Sequence, residues 1–359
     1  MFRYNLIESQ FRMIWDKIRC SAYCSAVQRA IKPNDVVIDY GCGFAIWSMV
    51  AAKAGAARVY AIDSCPDVAR IAEALIAENG LTSKITVIYG DAGSVELPEQ
   101  AGCIISEIMN GSGFNEYDGT SLMRIRDRFL KPQGIMIPQR IQHVIRPADV
   151  RNALAFEDGD WANDWYGLSF RAAQPFTAAC QMIMKIGDYE WAAEPRVWWD
   201  LDLRSDGLAD NQRRVGVPAE WLFRKDAKVN GIVAYFVASL DGQLTLSTAP
   251  DAPRTHWRHT FLPFPRALSL QAGDALQVTL RYATAYGSET YPMEVVWTRQ
   301  RRVMDKFETY PSTMPLANRR LAFEESTVSR CCWICASSAA TSAATASTSA
   351  SASRCPEGS

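Results

Sequence analysis

Two carboxylates, Glu107 and Glu116, stand nine residues apart at the ends of the segment SEIMNGSGFNE. A glycine-containing loop of this length can fold back as a hairpin, so that both acids face one cavity. Paired carboxylates match the planar, forked donors of a guanidinium, fix its plane and concentrate electron density on one nitrogen. Upstream, VVIDYGCGFAIW sets Gly41-Cys42-Gly43 between a predicted strand and a predicted helix, where glycines let the backbone turn sharply and approach a ligand closely. Asp63 ends the next predicted strand, 22 residues after Gly41, placed to accept hydrogen bonds from ribose hydroxyls. Tyr89-Gly90-Asp91-Ala92 ends the third, within reach of an adenine edge. Three successive strand ends therefore aim at one nucleoside. A dinucleotide site calls for a third glycine three residues after the second, and that position holds Ile46.

The elements that must position these residues follow from the pattern. From Val36 to Pro138, short apolar runs (VVID, VYAID, ITVIYGD, CIISE, IMIP) alternate with helical stretches over Ile46 to Ala54, Asp67 to Asn79 and from about Leu122. In the second helix Val68, Ile71, Ala72, Leu75 and Ile76 fall on one face, and Asn79-Gly80 supply a stop. This alternation predicts an α/β fold with a Rossmann-like, doubly wound parallel sheet. Past residue 139 the texture becomes β-prone, as in GIVAYFVASL, QLTLSTAP, LQVTLRYA and MEVVWT, which predicts an all-β barrel-like domain or a sandwich. The expected division is 1–138 for the N-terminal helix and nucleoside-binding domain, 139–325 for the β domain, with an associating arm near 166–199, and 326–359 for a tail. The run SSAATSAATASTSASAS cannot bury enough apolar surface to order itself, so the tail is expected to be disordered.

At the paired glutamates the chain resembles the protein arginine N-methyltransferases, whose double-glutamate loop has this spacing and follows the fourth strand. AAKAGA, VELP, IISE and FLKPQGIMIP match in the same order, as do DWYGL and VAYF in the β domain. The most specific match is STAPDAPRTHW, whose Thr255-His256-Trp257 resembles the family's THW loop. The resemblance covers roughly residues 4 to 300. It implies S-adenosyl-L-methionine as methyl donor, held by Arg19, Asp39, Gly41, Gly43, Asp63, Asp91, Ala92 and Glu107. It further implies an acceptor held against Met13, Met109 and Trp257, with Glu107, Glu116, His256 and Asp16 as catalytic groups. Asp16 and His256 would form a dyad that helps remove the proton. An arginine-containing protein, peptide or small molecule is the implied partner, and the arm implies a homodimer.

This sequence also departs from the family. Ala45 replaces the last glycine of the donor loop and narrows the room for the donor's methionine part, and Gly93 stands in place of an adenine-side glutamate. Ile108 and Asn110-Gly111 replace a tryptophan and a Gly-Tyr pair inside the glutamate loop, and Tyr4 alone remains of an N-terminal aromatic motif. The reshaped pocket leaves free arginine or a natural-product precursor open as acceptor, and a silent scaffold of the same fold as a third reading. A net charge of -1 supplies no basic field for nucleic acid, and no segment reaches membrane-spanning length, so a cytoplasmic enzyme without nucleic-acid or membrane partners is expected. Scattered cysteines, three histidines and the incomplete CCWIC cluster predict no metal.

Overall fold

The computed structural model describes residues 7–113, 116–151, 164–170, 182–207, 218–281, 283–285, 288–290 and 293–309. The expected tail and the CCWIC cluster lie outside them. Helices α1 (Ile7–Trp15) and α2 (Lys17–Ala30) lead into β1 (Val36–Tyr40), α3 (Ile46–Ala54), β2 (Arg58–Asp63), α4 (Pro66–Glu78), β3 (Ile85–Tyr89), β4 (Ala101–Ser106), α5 (Glu116–Phe129) and β5 (Leu130–Ile137). The strands form one parallel sheet in the order β3-β2-β1-β4-β5. β1 and β4 are buried along nearly their whole length, as continuous apolar strands covered on both faces must be. The chain winds outward from β1 to β3 and then returns to the other side of β1. This reversal opens a crevice between the C-terminal ends of β1 and β4, where open α/β sheets bind ligands.

Helix α4 buries Val68, Ala72 and Ile76, the face its periodicity predicts. Helix α5 starts at Glu116, earlier than the expected Leu122. Its first turns read EYDGTS, which carries no apolar period, so only the later Leu122, Met123, Ile125 and Phe129, all buried, announce a helix in the sequence.

The second half of the described chain is antiparallel: β6 (Arg140–Val150), β7 (Asp164–Trp165), β8 (Leu168–Ser169), β9 (Met182–Met184), β10 (Tyr189–Trp191), β11 (Arg196–Asp202), β12 (Pro218–Leu222), β13 (Ala227–Ser239), β14 (Thr245–Ser247), β15 (His259–Leu270), β16 (Ala275–Leu280), β17 (Ala283–Ala285), β18 (Ser288–Thr290), β19 (Met293–Arg299) and β20 (Arg302–Thr309). A seven-stranded sheet runs β10-β6-β13-β15-β9, with β11 on β6 and β14 on β13, and a four-stranded sheet runs β12-β16-β19-β20. Ile145, Trp199, Val229 and Phe264 of the larger sheet share a core with Trp221, Leu276, Val278 and Val295 of the smaller. Residues 171–181 of the expected arm lie outside the described residues. Its second half supplies β9, β10 and most of β11, which pair with β15 and β6, because alternating runs such as RVWWDLD find sheet edges to complete. Its first half holds the exposed β7–β8 hairpin, turned by Tyr166 and Gly167 at φ 55° and 76°.

No linker separates the two halves. Phe236, Leu240, Leu246 and Trp257 of the β region pack into the same core as β1, β4 and α2. Buried Arg126 of α5 donates to the carbonyls of Leu203 (2.8 Å) and Asp206 (2.7 Å). Among the described residues no helix is long and apolar enough to cross a membrane.

Candidate functional site

The glycine turn sits at the mouth of the crevice. Gly41 and Gly43 adopt φ of +73° and +55°, a left-handed backbone that strains any residue with a Cβ, and a Cβ on Gly43 would lie 2.6 Å from the Gln10 Oε1 of α1, which would have to shift. Asp63 braces the turn: one carboxylate oxygen accepts from the Gly43 amide and the other from the Cys65 amide, each at 2.9 Å. Asp39, fully buried, accepts from the Ser48 amide (2.9 Å) and hydroxyl (2.6 Å) through Oδ2, while its Oδ1 has no partner. Burial pushes the Asp39 carboxyl up to about 7, against the bonds from Ser48. Ala45 holds φ 58°, ψ 30° with its methyl fully buried, a left-handed conformation that costs about 1–2 kcal/mol without glycine. The Asp91 carboxylate closes its own turn, accepting from Gly93 (2.8 Å) and Ser94 (3.0 Å) amides, and these bonds lower its pKa.

Across the crevice, Arg19 of α2 and Glu107, just past β4, form a buried ion pair. Arg19 also donates to the Met13 carbonyl at 3.1 Å, and its guanidinium lies 5.0 Å from the Trp47 ring centroid. Tyr23 stacks on the same Trp47 ring at 4.9 Å, and its hydroxyl donates to the Ser106 carbonyl. Burial works against the Arg19 charge, but the Glu107 carboxylate outweighs it and raises the Arg19 pKa. The residue expected to grip a donor carboxylate and the residue expected to grip an acceptor guanidinium thus hold each other.

Asp16 organises the third corner. As N-cap of α2 it accepts from the Arg19 amide (3.0 Å), and its Oδ2 accepts from the His256 amide (2.6 Å) and lies 2.9 Å from His256 Nδ1. Burial raises the Asp16 pKa, yet the bonds from His256 and Arg19 prevail and hold it below its ordinary value. His256 Nε2 is buried without a partner. The neighbouring Trp257 donates its indole N–H to the Met109 carbonyl at 3.0 Å, and its ring meets Phe236 edge-on at 5.1 Å.

Among the described residues of the loop between the glutamates, Asn110 to Gly113 form a tight turn. Asn110 and Gly113 exchange backbone hydrogen bonds of 2.8 and 3.1 Å, the Asn110 side chain accepts from Ser112, and the Thr248 hydroxyl donates to the Gly111 carbonyl at 3.2 Å. Glu116 begins α5, and its side chain lies outside the described residues. Of the residues singled out from sequence, Met13, Asp16, Arg19, Glu107, Met109, His256 and Trp257 meet in one connected network. Asp39, Gly41, Gly43 and Asp63 line the adjoining turn, with Ala92 buried past β3 and Asp91 exposed. Sequence reading missed Gln10, Tyr23, Trp47, Ser48 and His143. Of these only Trp47, next to the glycine turn, carried a local signal.

The chain matches two family profiles: the arginine methyltransferase oligomerization subdomain over residues 152–290 and ribosomal protein L11 methyltransferase (PrmA) over residues 21–171. It is 31% identical over 294 residues to histone-arginine methyltransferase CARMER of Drosophila yakuba, covering 76% of this chain and 53% of that protein. It is 27% identical over 312 residues to protein arginine N-methyltransferase 2 of Xenopus tropicalis, covering 84% of this chain and 70% of the relative. The chain therefore spans about half the length of the CARMER relatives. In fold it is similar to the Trypanosoma brucei PRMT1 enzyme-prozyme complex with AdoHcy (TM-score 0.74, 22% identity, 86% of this chain, 100% of that one). It is likewise similar to Arabidopsis thaliana protein arginine methyltransferase 10 (TM-score 0.69, 22% identity, 85% of this chain, 97% of that one).

Proposed function

We propose that this chain is a protein arginine N-methyltransferase, which transfers a methyl group from S-adenosyl-L-methionine to a guanidinium nitrogen of arginine in a protein or peptide. The observation that carries the reading is the convergence at the sheet's reversal point of buried Glu107 with the Asp16–His256 pair. When bound, the donor supplies a methyl group on a sulfonium. Gly41, Gly43, Asp39, Asp63 and the Ala92 backbone are the residues that would hold its nucleoside and amino acid parts, and Arg19 would take its carboxylate. The unpartnered Asp39 Oδ1 and the open glycine turn fit that role.

A guanidinium with a pKa above about 12 is a poor nucleophile. Glu107 and Glu116 grip its far nitrogens, hold its plane and draw the positive charge away from the attacking nitrogen. Met13, Met109 and Trp257 wall the approach, and this positioning lowers the barrier by on the order of 7 kcal/mol. The attacking nitrogen gains the methyl and loses one proton. Because Asp16 faces Nδ1, the imidazole carries its proton there and leaves the Nε2 lone pair to receive it. Incubation with labelled donor and, separately, an arginine-rich peptide, free arginine and cell extract tests the reading: label is expected on the peptide. Label on free arginine alone would favour the small-molecule reading, to which Ile108, Asn110 and Gly111 in the loop lend weight. No label anywhere and no binding of S-adenosylhomocysteine would leave only the scaffold.

The same reading includes a cytoplasmic homodimer, with the domain division at 138/139. Two exposed apolar patches support association: Trp15, 74% exposed beside Phe11 and Ile18, and the hairpin of Tyr166 (93%) and Leu168 (60%). Solitary exposed apolar residues need no explanation, but clustered ones mark contact surfaces. Light scattering is expected to give twice the 40.0 kDa chain mass, and Trp15→Glu to halve it; a monomeric wild type overturns the dimer.

A further inference from the structure

We propose that His143, in the seven-stranded sheet, is a positioning residue that seats the glutamate loop. The inference rests on the reading of that loop as the acceptor site. His143 lies on β6 between its register partners Trp199 of β11 and Phe236 of β13, and it is 2% exposed. Its ring stacks on Trp199 at 4.6 Å and 26° and meets Trp198 edge-on at 6.4 Å. Neither ring nitrogen has a hydrogen-bond partner, and burial pushes its pKa down to about 3, so the imidazole is neutral. It does not bind by polar contact.

What the ring does is fill space. A Cβ built on Gly113, at φ +120°, would lie 2.5 Å from His143 Cε1, 2.8 Å from Nε2 and 2.9 Å from Nδ1. The imidazole therefore occupies the volume that a side chain at 113 would need, and the Gly113 backbone rests directly on it. The β region fixes the loop at three successive points: the Trp257 indole on the Met109 carbonyl and the Thr248 hydroxyl on the Gly111 carbonyl, both from the connection between β14 and β15, and the His143 ring of β6 under Gly113. The first two are hydrogen bonds, and the third is steric. It is also the one nearest Glu116 in the chain. The bulk that a side chain at 113 would carry lies instead in the floor, so the seating of the loop at Gly113 depends on a residue outside the loop.

The test compares His143→Ala, which removes the seat, with His143→Leu, which keeps its volume and removes both unpaired nitrogens. Removing the seat is expected to speed hydrogen exchange at the Asn110 and Gly113 amides by about tenfold or more, because their mutual hydrogen bonds open more often. It should raise KM for an arginine-rich peptide by about tenfold while S-adenosylhomocysteine affinity stays within about twofold. His143→Leu is expected to restore both quantities and to melt at a higher temperature than wild type, since no buried nitrogen is left unpaired. Unchanged exchange in His143→Ala, or a His143→Leu variant as impaired as His143→Ala, overturns the proposal. If His143→Ala does not fold, His143→Val shortens the side chain in a form suited to a strand and carries the same expectations. The exchange measurement needs no turnover, so a wild type without methyl transfer would remove the proposed function and still leave the seat to be judged.

Discussion

Replacing Glu107 with glutamine is expected to abolish methyl transfer while leaving S-adenosylhomocysteine binding within a few fold. The substitution keeps shape and burial and removes the charge that localises a guanidinium's positive end. Losing a charge-assisted, preorganised contact of this kind costs a factor of about 10² to 10³ in kcat, or roughly 3–4 kcal/mol. The buried Arg19–Glu107 pair adds a second consequence. Glutamine leaves the Arg19 guanidinium without its counter-charge, and removing one partner of a buried pair costs up to about 3–5 kcal/mol of stability, less where the new group still accepts a hydrogen bond. Arg19 then has one remaining call on its charge, a donor carboxylate, which is why donor affinity should survive. Single-turnover transfer from labelled donor, calorimetric titration with S-adenosylhomocysteine and a denaturation curve separate the three effects. Turnover within tenfold of wild type would sink the assignment of Glu107.

Replacing Asp16 with alanine is expected to cost both stability and activity, because one carboxylate performs three tasks. It caps α2 through the Arg19 amide, ties the His256 backbone to that helix, and orients the His256 ring. Loss of the cap costs about 1 kcal/mol, and loss of charge-assisted hydrogen bonds adds about 1.5–3 kcal/mol each, so a loss of several kcal/mol is expected. Turnover should fall at least about 100-fold, since general-base assistance alone contributes that much. The pH dependence follows from the sign of the shift. In the unfolded chain Asp16 titrates near 3.8 and in the fold it titrates lower, so its stabilising share is complete above 3.8 and fades as pH falls through the folded value. The stability gap between wild type and Asp16→Ala should therefore be constant at neutral pH and shrink only below about pH 4. An equal gap at every pH would refute the ionised role, and near-normal stability and turnover would refute the dyad.

Much of the candidate site is legible in the sequence. The glycine turn and Glu107 each follow a strand and Asp63 ends one, and strand ends are marked by a switch from apolar runs to glycine and acid. The start of α5 was not legible, because EYDGTS has no apolar face. Nor was the fate of residues 182–199, whose short strands are defined by the edges they complete on β6 and β15 rather than by their own pattern.

The division has one physical cause. Local periodicity and turn chemistry act over a few residues, so the sequence by itself determined the alternation of strands and helices, the glycine turn and the placing of carboxylates at strand ends. Contacts between distant residues depend on how the sheets stack. Arg19 meets Glu107 from 88 positions away, Asp16 meets His256 from 240, and His143 on β6 fills the space beneath Gly113. Only the tertiary structure decided that the two expected grips hold each other, and that the loop between the glutamates rests on an imidazole.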